Sequence, residues 1–156
     1  MSRSGFLNRD SFHTLLSVLQ SEGYQCVGPT VQDGAIQFAP IQSVASLPKG
    51  YELEISPGHV RAIHNGHERF FAWPNGAQGL KPWLYRSREL LWSAIETETG
   101  FTFNEPTIES EPIAFIGARA CDLAALHLHD LHFLEDEFAD PFYKAHRNAL
   151  LIVAVN

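Results

Sequence analysis

The sequence predicts an α/β fold, with antiparallel strands in the first half and a parallel strand-helix-helix-strand crossover unit in the second. Three observations carry this expectation. Short segments that alternate apolar and polar residues recur before Trp73, separated by Gly, Pro and Asn pairs, which is the pattern of hairpins. Ile113-Ala114-Phe115-Ile116 and Ala149-Leu150-Leu151-Ile152-Val153-Ala154-Val155 are continuous apolar runs, as strands covered on both faces require. Between those runs lie two segments with helix start signals, and a connection of that kind joins parallel neighbours. With 156 residues, 45% hydrophobic and 19% charged, the chain reads as a single α/β domain over 1–156.

Taken in order, the first element is a helix from Asn8, capped by Asn8 or Asp10, with Phe12, Leu15, Leu16 and Leu19 on one face and Gly23 closing it. Tyr24-Gln25-Cys26-Val27 predicts a strand ended by Gly28-Pro29. Asp33-Gly34 then turns the chain into Ala35-Ile36-Gln37-Phe38, giving a hairpin. Pro40 to Pro48 reads as a loop, and Tyr51-Glu52-Leu53-Glu54-Ile55 alternates until Ser56-Pro57-Gly58. Val60 to Ile63 and Arg69 to Trp73 flank Asn65-Gly66, which predicts a further hairpin. Pro74 to Pro82 is a loop, after which Ser87 caps an expected helix from Arg88 to Thr97 with Leu90, Leu91 and Ile95 facing in and Gly100 as its stop. Phe101 to Glu111 reads as an exposed connection. A helix follows Cys121, capped by Asp122 and carrying Leu123, Leu126 and Leu131. Asp140-Pro141, an N-cap and a first-turn proline, starts the last helix, Phe142 to Asn148. The chain stops directly after its most hydrophobic strand, without the loop and helix that would normally follow. That leads to the expectation that it is a fragment of a longer protein.

Composition narrows the function classes. No apolar run approaches the roughly 20 residues of a membrane span, and Met1-Ser2-Arg3-Ser4 leads into a polar amphipathic segment unlike a signal peptide, so a cytoplasmic protein is expected. A net charge of -7 with only 11 Lys and Arg argues against nucleic acid, whose phosphates need clustered cations. Two cysteines, Cys26 and Cys121, suit a reducing compartment and cannot ligate a four-iron cluster by themselves. No Gly-x-Gly-x-x-Gly, Walker loop or Gly-x-Ser-x-Gly is present. His127-Leu128-His129-Asp130-Leu131-His132 invites a metal reading. It departs from the dinuclear His-x-His-x-Asp-His pattern, and its histidines point to different sides of a helix, so solvated histidines are expected. His59, His64 and His67 lie in or beside turns and read as polar surface.

The chemistry-bearing stretch is Gly117-Ala118-Arg119-Ala120-Cys121-Asp122-Leu123. Cys121 falls where a strand ends and a helix begins, a position whose dipole favours the thiolate, and Arg119 adds positive charge. The alternative is a buried cysteine acting as a small apolar residue.

That stretch, with Asp140-Pro141-Phe142-Tyr143, His146-Arg147-Asn148 and the strand ending Val153-Ala154-Val155-Asn156, resembles the beta subunits of cytoplasmic sulfhydrogenases and the corresponding iron-sulfur subunits of anaerobic sulfite reductases. In that family a Gly-Val-Arg-Pro-Cys-Asp-Leu motif precedes an Asp-Pro-x-Tyr segment, a strand ending in Val-Asn and further cysteines. Gly28-Pro29, Leu47-Pro48-Lys49-Gly50-Tyr51, Pro57-Gly58 with Arg61, and Lys81-Pro82-Trp83-Leu84-Tyr85 with Arg88-Glu89 also look similar. Ala118 and Ala120 replace the family's Val and Pro, and the later cysteines have no counterpart here. The resemblance implies an amino-terminal domain of a 4Fe-4S electron-transfer subunit in a hydrogenase- or sulfite-reductase-type oxidoreductase. It further implies Cys121 as a cluster ligand, Gly117, Arg119 and Asp122 beside the cluster, and flavin-containing reductase and catalytic subunits as partners. The 156 residues alone would hold no cluster, and self-association through the last strand is expected. Other readings of the same residues are an enzyme using Cys121 as nucleophile, supported by Arg119 and a histidine such as His127, or a plain interaction domain.

Overall fold

The computed structural model describes residues 6–74, 79–135 and 138–155. Residues 75–78, inside the loop expected from Pro74 to Pro82, lie outside the described residues, as do Met1 to Ser4 and Asn156.

After a 3-10 turn over Arg9–Ser11, in which the Asn8 side chain accepts from the Asp10 N–H, α1 runs over Phe12–Ser21. β1 (Gln25–Gln32) and β2 (Ala35–Pro40) form the expected hairpin, with Asp33 and Gly34 at φ +50° and +74°, as a two-residue turn of this kind requires. β3 (Tyr51–Ser56) and β4 (His59–His64) form a second hairpin around Pro57-Gly58. The short helix α2 (Lys81–Leu84) precedes a third hairpin, β5 (Ser93–Thr97) and β6 (Gly100–Asn104). β7 (Ile113–Ala118), α3 (Ala120–Leu134), α4 (Pro141–Asn148) and β8 (Leu150–Ala154) complete the chain.

The main sheet has the order β2-β1-β7-β8, antiparallel between β2 and β1 and parallel across β1, β7 and β8. The crossover from β7 to β8 is thus the parallel unit that the two apolar runs predict. β7 is central and buried on both faces, and its residues sort alternately. Ala114 and Ile116 face α1 and pack with Leu16, Leu19, Cys26, Ile41 and Leu47. Phe115 faces the other side and packs with Val27, Leu80, Leu84, Leu126 and Tyr143. α1 therefore covers one face, and α2, α3 and α4 the other.

Four expectations are corrected. β1 continues through Gly28-Pro29 rather than ending there. The Ile41 N–H donates to the Cys26 carbonyl, so the paired rungs fall at even positions and Pro29 directs its missing donor away from β2. On that side the pairing with β7 has already ended at Val27, and no ladder bond is lost. The Asn65-Gly66 hairpin does not form, because the segment returns to Gly50 instead. The Asn65 N–H donates to the Gly50 carbonyl and the Gly50 N–H to the Arg69 carbonyl, while Phe71 sits at φ +57°. The helix expected over Arg88 to Thr97 is replaced by β5 and β6. β-branched and aromatic residues at Ile95, Thr97, Phe101, Thr102 and Phe103 favour extended pairing, and the Thr97 hydroxyl donates to the Gly100 carbonyl to close the turn. In α3, Leu126 enters the core but Leu123 and Leu131 are exposed.

Asp140 caps α4 as its sequence predicts, its Oδ1 accepting from the Phe142 and Tyr143 N–H groups at 2.8 and 3.0 Å. Among the described residues no helix is long and apolar enough to cross a membrane.

Candidate functional site

The sequence from Gly117 to Asp122 forms a braced strand-to-helix turn. Gly117 has φ +97°, a conformation that side chains rarely tolerate, and a Cβ there would lie 2.9 Å from a ring carbon of Phe71. The pairing of β7 with β8 shifts register between Ile116 and Ala118 at this point. A one-residue bulge reverses the faces, so Ala118 joins Phe115 and Val27 rather than Ile116. Arg119 follows in extended conformation as the N-cap of α3.

Arg119 is held at both ends. Its backbone N–H donates to Asp122 Oδ2 at 2.8 Å, the reach-back of a third-position carboxylate in a capping box. Asp122 thus steadies the helix start from inside the first turn; it is not the N-cap that the sequence predicts. The Arg119 Nη2 donates to the Phe71 carbonyl at 2.7 Å and to the Trp73 carbonyl at 2.6 Å. Gly79 lies against the same carboxylate: a Cβ there would sit 2.9 Å from Asp122 Oδ1. The segment before 75–78 is therefore anchored on the motif, and Gly79 after it passes close by.

Cys121 is the second residue of α3 and is exposed. Gly117, Arg119 and Asp122 each have a defined task in shaping the turn on which Cys121 stands. Chemically, the arrangement offers one soft thiol in the first turn of a 15-residue helix, whose N-cap guanidinium is fixed on the Phe71 and Trp73 carbonyls. Among the described residues no three His, Cys, Asp or Glu side chains group around a metal-sized site, so a cluster here would draw its remaining ligands from elsewhere. Cys26 is unlike Cys121: it is buried under α1, and burial pushes its thiol pKa up.

The histidines have other neighbours. His127, six residues beyond Cys121, is rotated by about 240° around α3 and lies on a different side of the helix. His129 and His132 set their rings edge-on to Phe133, at 6.1 and 4.9 Å between centroids. Asp130 accepts from the Tyr143 hydroxyl at 2.7 Å and from Arg147 Nε at 3.0 Å, joining α3 to α4. His64 lies edge-on to Tyr51, and His67 Nε2 faces Glu52 Oε1 at 3.2 Å.

The Phe71 and Trp73 carbonyls that anchor Arg119 were missed by sequence reasoning, which makes that segment a strand. They lie 48 and 46 residues from Arg119, and no local pattern encodes that pairing. Compared with known proteins, the chain matches no family model, no curated protein and no solved structure.

Proposed function

We propose that this chain is the amino-terminal domain of a cytoplasmic iron-sulfur electron-transfer subunit, working in a hydrogenase- or sulfite-reductase-type oxidoreductase complex. The observation that carries the reading is the exposed thiol of Cys121 on a turn whose other motif residues hold it in place. A four-iron cluster, when bound, passes single electrons between flavin-containing reductase and catalytic subunits. Cys121 supplies one thiolate ligand, of the soft kind that iron-sulfur clusters use, and cysteines outside these residues supply the others. Gly117 keeps the backbone close to the site, Asp122 fixes the first helical turn, and the positive charge of Arg119 favours the reduced cluster, raising its potential. Partner subunits dock around this turn, and the exposed edge of β8 allows self-association.

Anaerobic reconstitution with ferrous iron, sulfide and excess glutathione tests the ligand assignment, because the external thiol can fill the positions that this chain does not. Without reconstitution the protein should carry no stoichiometric iron. After it, iron-sulfur absorbance should develop in the wild type and in Cys26→Ser, and fall by at least about half in Cys121→Ser with an unchanged melting curve. Equal iron in wild type and Cys121→Ser would refute the assignment.

A further inference from the structure

The β5-β6 hairpin is one-sided. Directly opposed residues of an antiparallel pair share a face, so the register of Ala94 with Phe103 and of Glu96 with Phe101 groups Trp92, Glu96, Phe101 and Phe103 on one side. The Trp92 and Phe103 rings meet there at 5.4 Å between centroids. The other side carries Ser93, Thr97, Thr102 and Asn104, with Ile95. All three aromatic rings are more than half exposed. The charge around them has one sign: Glu96, Glu98, Glu105, Glu109 and Glu111 fall within residues 90–111, a stretch without Lys, Arg or His. None of these carboxylates has an ion-pair partner among the described residues.

The complement lies on the same chain. Arg9, Phe12, Arg69, Phe70 and Phe71 line an open hollow of about 370 Å³, with two guanidiniums and no carboxylate in its wall. Arg9 lies over the Phe70 ring at 5.4 Å, and Glu68 beside the hollow is shared between Lys49 and Arg9. Arg69 bonds only through its backbone, to His67 Nδ1 and to the Gly50 N–H, so among the described residues its guanidinium has no acceptor. Phe71 is held from behind, its carbonyl by Arg119 and its ring by Gly117. The hollow is thus already formed in the single chain.

We propose that the hairpin of one copy docks in this hollow on a second copy, Phe101 and Phe103 against Phe12, Phe70 and Phe71, and the hairpin carboxylates toward Arg9 and Arg69. Aromatic rings and arginine are what the centres of protein interfaces favour, and carboxylates opposite guanidiniums fix the register. The contact is heterologous, joining two different surfaces. Hairpin-on-hairpin pairing would bring the carboxylates together, and an anionic lipid or nucleic-acid surface would meet the same repulsion. One such contact falls in the small size class of weak, transient interfaces, so dilute protein is monomeric. It is separate from the β8 edge and independent of the electron-transfer reading.

The test is an NMR titration. A 15N-labelled chain carrying Phe101→Thr and Phe103→Thr keeps its hollow and loses the hairpin rings, with threonine preserving the strand. Adding unlabelled wild type should shift the Phe12, Arg69, Phe70 and Phe71 amides saturably. Adding the unlabelled double variant should not, and any association through β8 is common to both titrations. Arg69→Glu in the labelled chain should weaken wild-type binding at least about tenfold. No shift at these amides with wild type up to about 1 mM, or equal shifts in the two titrations, would overturn the proposal.

Discussion

β7 and the β5-β6 hairpin are built from similar residues and end in opposite environments. Ile113-Ala114-Phe115-Ile116 is buried at the centre of the main sheet, whereas every residue of Ser93–Thr97 and Gly100–Asn104 is exposed, Phe101 and Phe103 included. The difference lies in what packs against each. α3 and α4, which follow β7, help cover one of its faces, α1 from the start of the chain covers the other, and β8 pairs with its edge. β5 and β6 are joined by Glu98-Thr99 and, among the described residues, pair only with each other. Apolar residues register a demand for cover, and the demand alone does not say whether cover arrives.

The largest effect should separate these regions most sharply. Phe115→Ala removes a ring with no exposure at the middle of the core and should cost about 3–5 kcal/mol, whereas Phe103→Ala in the hairpin should stay within about 0.5 kcal/mol. Chemical denaturation of the two variants measures both. Comparable losses would mean that the hairpin is packed in solution. Next, Arg119→Met should cost about 2–3 kcal/mol by leaving the Phe71 and Trp73 carbonyls without their charged donor, and protease cleavage near residues 71–79 should accelerate. An unchanged cleavage pattern would show that something else holds that segment.

The joint between α3 and α4 gives a pH test. Burial first, and then the hydrogen bond to Asp130, push the Tyr143 hydroxyl above its ordinary value near 10. In the unfolded chain it ionises near that ordinary value, so this contribution to stability is full below about pH 10 and declines as the pH rises above it. Tyr143→Phe should cost about 1.5 kcal/mol at neutral pH and flatten the alkaline decline; identical alkaline curves would exclude Tyr143 as its source. A smaller loss than at Tyr143 is expected at Asp140→Ala, about 1 kcal/mol from loss of the α4 cap, read from the melting temperature.

These effects follow the line between what the sequence shows and what it hides. Asp33-Gly34 and Asp140-Pro141 are legible because the turn or cap involves residues two or three positions apart, and the β7-β8 crossover because both apolar runs are continuous. Asn65-Gly66 carries the same local signal as Asp33-Gly34 but is overruled by Gly50, which no short window includes. Leu90, Leu91 and Ile95 match a helical period by coincidence, while the β-branched and aromatic residues around them pair as strands. At the candidate site the strand-to-helix junction and Cys121 are readable from the motif. The brace on Arg119 is not, since its acceptors come from a distant loop.

Cys26 and Cys121 carry that contrast into chemistry: one thiol lies under α1 with its pKa raised, the other stands exposed at the start of α3. Their alkylation by iodoacetamide at neutral pH, measured site by site before and after cluster reconstitution, addresses the ligand role most directly. Cys121 should react at least about tenfold faster than Cys26 in the untreated protein, because burial and a raised pKa both slow Cys26, and it should become protected once iron and sulfide are bound. A Cys121 that reacts no faster than Cys26, or that stays equally reactive after reconstitution, would contradict its assignment as a cluster ligand.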